Sequence, residues 1–438
     1  MTTGFRTPPG VSQRWLLLAA SSLGLSAVAA AALVLARTPV LTSLVPPDSF
    51  PRALVVHVNL ATLLWYFAMS GAMWTEALPS SRHRTAQALL VAGAAGAIGI
   101  VASGLFAPGH PVLANYFPYV DHPVFLGSLA VFVSAGLCTG AISLVRPRDA
   151  AEWGFAIARW PFCMGALYLA LALHQGMGLV DALWGAGHIL QFGFVTLMMA
   201  MWLRLSERTG MTSVPPRIAI PFFVAASLPA IIAPALLFSG LDHDALHSLH
   251  TDTMRWTNWP AALAFGLLLL SREEARSADS FIASLGLYCI GILAGTAIDS
   301  QTTMVPAHYH GTIGAFTLAQ MAAVLARISP ATDAEHSPPP STRPLSVYTF
   351  GITTLICGLA WSGILGAPRK VAFSGEGADP AAILAAALTG TGGAITIAGV
   401  GYFACIAVPR ILRLCRTHTA PTSRHSSPAA AAMFAAAQ

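Results

Sequence analysis

Twelve stretches of about 20 apolar residues, divided by short polar turns, constrain this chain more than any other feature. Within a bilayer each backbone N–H and C=O must find a partner inside the protein, so such stretches form helices. They run over 15–36, 53–77, 86–107, 123–145, 152–173, 181–203, 218–240, 256–271, 281–298, 305–327, 345–365 and 382–408. Only 9% of the residues are charged and 55% are hydrophobic, whereas soluble domains carry about 25% charge. The pattern predicts an all-α membrane protein of about twelve transmembrane helices. The first stretch is longer than a signal-peptide core and no clear cleavage site follows it, so we read it as a retained helix. The expected organisation is a cytoplasmic segment at 1–14, a membrane domain at 15–410 and a disordered Thr/Ser/Ala-rich cytoplasmic tail at 411–438.

The distribution of charge orients the bundle. Twelve spans put both termini on one side. That side holds seventeen arginines, the opposite loops hold five cations, and Arg159 lies within the fifth span. The positive-inside rule makes the arginine-rich side cytoplasmic, as in a multi-pass protein of a bacterial-type inner (plasma) membrane. The arginines are spread over many short loops, which excludes the clustered basic patch of a nucleic-acid binder. The six cysteines fall mostly singly in apolar runs and suggest neither a zinc site nor a disulfide frame.

Histidines are the polar residues that these spans carry toward the outer side. His57 opens the second span and His188 the sixth. His243, His247 and His250 follow the seventh, and His308 and His310 open the tenth. Ionisable groups in membrane helices are costly and default to function. At 3.6 residues per turn, His308 and His310 leave the helix about 200° apart. They cannot share one small ion, but each can serve a planar partner on its own side.

Four runs then form one pattern: His57-Val58-Asn59-Leu60, Trp184-Gly185-Ala186-Gly187-His188, Gly240-Leu241-Asp242-His243 and Ala307-His308-Tyr309-His310. With Arg369-Lys370 after the eleventh span, the chain resembles the haem–copper oxidase superfamily, catalytic subunit I, over roughly 50–375. The resemblance implies a subunit I-like bundle with two haems. His57 and His310 would be axial ligands of a low-spin b-type haem, and His308 the proximal ligand of a high-spin b-type haem. Arg369 and Lys370 would meet haem propionates. Beside the high-spin haem the family places a second metal. Here that implies His188, Asp242 and His243 as ligands, an aspartate standing where one histidine is usual. Such a set suits non-haem iron better than copper. The face shared by His243, His247 and His250 is an alternative ligand source.

The tyrosine that oxygen-reducing relatives carry one turn after the sixth-span histidine is Phe192 here. That departure directs the expectation to nitric oxide reduction, with O2 reduction by a terminal oxidase as the alternative. A haem-binding sensor or assembly protein without turnover is the reading from another class. The chain has no haem-attachment Cys-x-x-Cys-His run. Electrons would therefore come from a small redox subunit, a cytochrome c or a cupredoxin-like donor, with the aromatic stretch 115–123 as a candidate docking surface.

Overall fold

The computed structural model describes residues 10–46, 48–329, 342–373 and 379–417. The fold is all-α, apart from a small hairpin of β1 (His110–Val112) and β2 (Tyr119–Asp121). In order, the helices are α1 (Val11–Arg37), α2 (Ser49–Val58), α3 (Trp65–Trp74), α4 (His83–Phe106) and α5 (Pro123–Ile142). Next come α6 (Ala150–Ile157), α7 (Arg159–His174), α8 (Leu179–Glu207), α9 (Pro216–Ile232) and α10 (His243–Thr257). The last five are α11 (Pro260–Leu270), α12 (Asp279–Thr296), α13 (Met304–Ile328), α14 (Arg343–Ile364) and α15 (Pro380–Thr417). Among the described residues, 11 helices are long and apolar enough to cross a bilayer. The chain is a multi-pass membrane protein.

The count departs from twelve at 256–271. There α11 holds only 11 residues, about half of a membrane crossing. Pro260 at its first turn has no N–H to give a carbonyl of the preceding turn, and the helix is interrupted between Thr257 and Pro260. Even so, the chain passes from one end of the bundle to the other here. His243 lies 3.9 Å from Asp181 at the start of α8. Thr209, just past the end of α8, donates to the Glu274 carbonyl at 2.7 Å. The eighth passage is thus a broken one, with the polar helix α10 as its first part. Broken helices at membrane depth are tolerated where they line a cavity.

α1 and α15 run antiparallel, with Gly24 against Ala404 and Gly393 against Val34. The described beginning and end of the chain therefore lie at the same end of the bundle. α15 continues to Thr417, beyond the expected end at 408 and into the segment expected to be disordered from 411. Residues 1–9 and 418–438, the rest of the two expected flanking segments, lie outside the described residues.

α13 is the central rod. Tyr66 donates to the Ile313 carbonyl at 2.9 Å, Ser284 to Ala315 at 2.8 Å and Tyr348 to Gly314 at 3.4 Å. Three neighbouring helices thereby hold α13 one turn below His310. At the far end a half-buried ion pair, Arg327–Glu76 at 2.8 Å, and an Arg327–Ser12 bond at 2.9 Å tie α13 to the ends of α3 and α1. Removing one partner of a fully buried pair strands the other charge and costs about 3–5 kcal/mol, an upper bound for this half-buried one. The expected result for Glu76→Gln is a large drop in thermal midpoint in detergent. A midpoint within error of the parent would refute the structural role.

Candidate functional site

A cavity of about 730 Å3 surrounds the upper part of α13, within the roughly 300–1,000 Å3 usual for cofactor and ligand sites. His57, His188, His247, His308 and His310 all line it. The sequence had placed these residues at one depth, and the fold brings them to one space.

Four of these rings share a geometry. Nδ1 of His57 is 3.0 Å from the Ser26 carbonyl on α1, and Nδ1 of His308 is 2.7 Å from the Gly291 carbonyl on α12. His310 and His188 bond carbonyls one turn back, Pro306 at 2.7 Å and Trp184 at 3.0 Å. A carbonyl can only accept, so each Nδ1 carries the proton and donates it. The lone pair of each neutral ring then sits on Nε2, the arrangement that fixes a metal-ligating imidazole. Among the described residues Nε2 of His57, His308 and His310 has no hydrogen-bond partner.

The backbone aims these rings. A π-helical turn at Asn59–Leu64 begins two residues after His57 and joins α2 to α3 as one span. Such turns reset the face that a helix presents and recur at functional sites. Asn59 fixes it by donating to the Val55 carbonyl at 2.9 Å and to Pro118 at 2.7 Å. On α13 the two rings have different neighbours. His308 is tied to α12, whereas His310 stands within electrostatic reach of His57 and Arg37.

The three residues expected to hold a second metal are not brought together. Asp242 is the N-cap of α10, its carboxylate accepting from Ala245 N at 2.8 Å. That bond satisfies one of the free N–H groups at the helix start and keeps Asp242 at an exposed end. His243 is exposed beside Asp181. Neither lines the large cavity. On the alternative face, His247 stacks on Trp184 with ring centroids 3.5 Å apart, and His250 is buried with an unpartnered Nε2. Among the described residues no group of three or more His, Cys, Asp or Glu is arranged to hold a metal ion.

His188 itself has another partner. Its Nε2 accepts from the Tyr116 hydroxyl at 3.2 Å. Tyr116 belongs to the stretch read as a docking surface, but its aromatic residues Phe117 and Tyr119 are buried, as is Val120. Inward packing against α4, α5 and α8 won over exposure at the membrane interface.

Cations close one end of the cavity. Arg369 and Lys370 line it, as does Arg37 at the end of α1, which the sequence reading did not single out. Arg37 was missed because the end of a first span is an ordinary place for an arginine. Among the described residues none of the three has a carboxylate partner. The Arg369–Lys370 loop is sewn to the start of α13 by Thr303 N donating to the Ala367 carbonyl at 2.9 Å. Lys370 adopts φ 62° and donates to the Leu113 carbonyl and to Asn115 Oδ1, the latter at 2.8 Å. One of its three N–H groups is left for a ligand.

Burial, then the neighbouring Arg369 charge, pushes Lys370 down to about 8. In the ligand-free chain Lys370 is thus charged below that pH and neutral above it. An anionic ligand favours the charged form and raises the value in the complex. Affinity of the ligand-free chain for a carboxylate-bearing porphyrin is therefore expected to be level below pH 8 and to fall above it. Lys370→Met should abolish that slope. Fluorescence titration with a metal-free porphyrin dicarboxylate checks this.

No family model matches the chain. It is similar to an uncharacterized protein of Aquifex aeolicus (strain VF5), 25% identical over 333 residues, which cover 70% of this chain and 82% of the relative. It is also similar to an uncharacterized protein of Rickettsia prowazekii (strain Madrid E), 23% identical over 489 residues, covering 89% of this chain and 93% of the relative.

Proposed function

We propose that this chain is the catalytic subunit of a membrane terminal reductase on the plan of the haem–copper oxidase superfamily, taking electrons from a redox partner and reducing nitric oxide. One observation carries the reading: four histidines of one cavity spend Nδ1–H on backbone carbonyls, and three of them leave Nε2 to the cavity. The donor set suits two b-type haems, with His57 and His310 on one and His308 on the other. Bound there, they would supply electron relay and a redox centre that takes a diatomic gas. Arg37, Arg369 and Lys370 suit the propionates, since charge-assisted bonds are the strong ones. A second metal does not suit the residues expected for it, because Asp242 and His243 lie outside the cavity.

The chain's own part is to orient, to exclude water and to deliver protons. The reaction 2 NO + 2 e− + 2 H+ → N2O + H2O consumes two protons. Phe192, one turn after His188, is buried and offers none, which favours nitric oxide over O2. The protein–lipid and donor relations follow the same plan: the arginine-rich end cytoplasmic, and a cytochrome c or cupredoxin-like donor at the other. A haem-binding sensor is the second reading, favoured by the absence of Asp242 and His243 from the cavity.

Anaerobic turnover of the purified protein with nitric oxide and a reductant tests the proposal. The expected result is stoichiometric N2O. Gas binding without N2O would favour the sensor, and a preparation without a Soret band would sink both.

A further inference from the structure

We infer that the wall of the cavity formed by the start of α8 and the loop between β1 and β2 carries a hydrogen-bonding pair, Tyr116–His188, in place of a second metal. The pair spends both of its protons internally, so it meets a small gas ligand with the phenol's lone pairs and withholds a hydrogen-bond donor from it. The inference rests on the reading of His308 as a haem ligand. It concerns what stands opposite.

Three features show a built site. The first is the bond itself. Nδ1–H of His188 is spent on the Trp184 carbonyl at 3.0 Å, so Nε2 holds the ring's one lone pair. Tyr116 donates to that lone pair at 3.2 Å, and its oxygen also lies 3.7 Å from Met254 Sδ. A metal on His188 would have to displace the phenol.

The second is the backbone that delivers it. Tyr116 sits at φ 66°, a left-handed conformation that a bulky residue adopts only when its surroundings hold it there. Asn59 holds the Pro118 carbonyl, and Lys370 holds Leu113 and Asn115 on the other flank.

The third is a slot cut for the ring. A Cβ on Gly187 would lie 2.5 Å from Tyr116 Cγ, so the phenol reaches His188 only because residue 187 is glycine. The glycine of the Trp-Gly-Ala-Gly-His run therefore has its own task, next to the histidine that it precedes. On the far side Trp184 packs against His188, with centroids 3.8 Å apart, and His247 stacks on Trp184. His247 is thus turned to an aromatic face, and His250, also within electrostatic reach of His188, meets the same Trp184 ring edge-on with centroids 6.2 Å apart.

The test uses the purified full chain loaded with haem. Iron, copper and zinc are counted per haem by mass spectrometry after growth with each metal in excess, and infrared spectra are taken of the carbon monoxide adduct. Expected are no iron beyond the haem iron, no stoichiometric copper or zinc, and a shifted C–O stretching band in Tyr116→Phe at unchanged haem content. Tyr116→Phe keeps the ring in its slot and loses only the hydroxyl, so the fold should survive. His188→Ala frees the phenol hydrogen for the ligand, so it should shift the band through the added hydrogen bond and leave the metal count alone. One extra metal per chain that disappears in His188→Ala would overturn the inference. So would a band unmoved by either substitution. Absence of haem from the parent would instead overturn the reading on which the inference rests, a result told apart by the missing Soret band.

Discussion

Replacing His308 with alanine is expected to halve the haem content and abolish carbon monoxide binding, while the six-coordinate low-spin spectrum survives. The separation follows from the helix. His308 and His310 stand two apart, about 200° around α13, and their anchors differ: Gly291 on α12 for one, Pro306 in the same helix for the other. Loss of one ring leaves the other's Nδ1 bond and lone pair untouched. The reciprocal variants should behave oppositely. His57→Ala and His310→Ala should each lose the low-spin signature and keep a carbon monoxide complex. Pyridine haemochrome content and the carbon monoxide difference spectrum of the four proteins read this out. If His308→Ala and His310→Ala gave the same partial loss of both signals, the two rings would share one partner, and the arrangement proposed for α13 would be wrong.

The legible part of this site was the part written as spacing within a single helix. His308, His310, His57 and His188 could be found because a polar residue in an apolar run has no ordinary reason to be there. Their meeting in one cavity is a tertiary fact that the common depth anticipated. What could not be read was anything resting on contact between distant segments. Tyr116 is one of several aromatics in a loop, and nothing local says that its ring enters a slot at Gly187. Arg37 looks like an interface anchor. Asp242 was misplaced for a different reason. A short polar residue ahead of a helix is a cap before it is a ligand, and α10 was not recognised as a helix of its own. The same oversight made the eighth crossing look whole. Residues 243–257 are too polar for a membrane window, so a span placed where hydrophobicity rises misses the break ahead of Pro260. The fold class survived because eleven other spans carry it.

The other large effect is expected where α12 crosses α13. Gly291 and Gly295 stand four apart on α12, the small-x-x-x-small spacing that lets membrane helices approach closely. A Cβ on Gly311 would overlap the Gly291 backbone, and one on Gly295 would lie 2.6 Å from His308 Nδ1. Backbone cannot swing aside as a long side chain can. Overpacking of this kind costs about 1–3 kcal/mol, and Gly311→Val should lie at or above the top of that range. The cost is not only to stability. The Gly291 carbonyl that receives His308 Nδ1–H sits in the contact itself, so separating the helices removes the bond that fixes the ring. Gly311→Val is therefore expected to lower the thermal midpoint in detergent and to lose the His308-dependent carbon monoxide signal together. Gly295→Ala, which meets the ring directly, should lose that signal with a smaller change in midpoint. Gly286 lies on the same helix with open space around it. Its replacement by alanine should stabilise by up to about 1 kcal/mol, the helix-propensity difference, and leave the spectrum alone. If Gly311→Val retained the carbon monoxide signal at parental intensity, close approach of α12 would not be what orients His308.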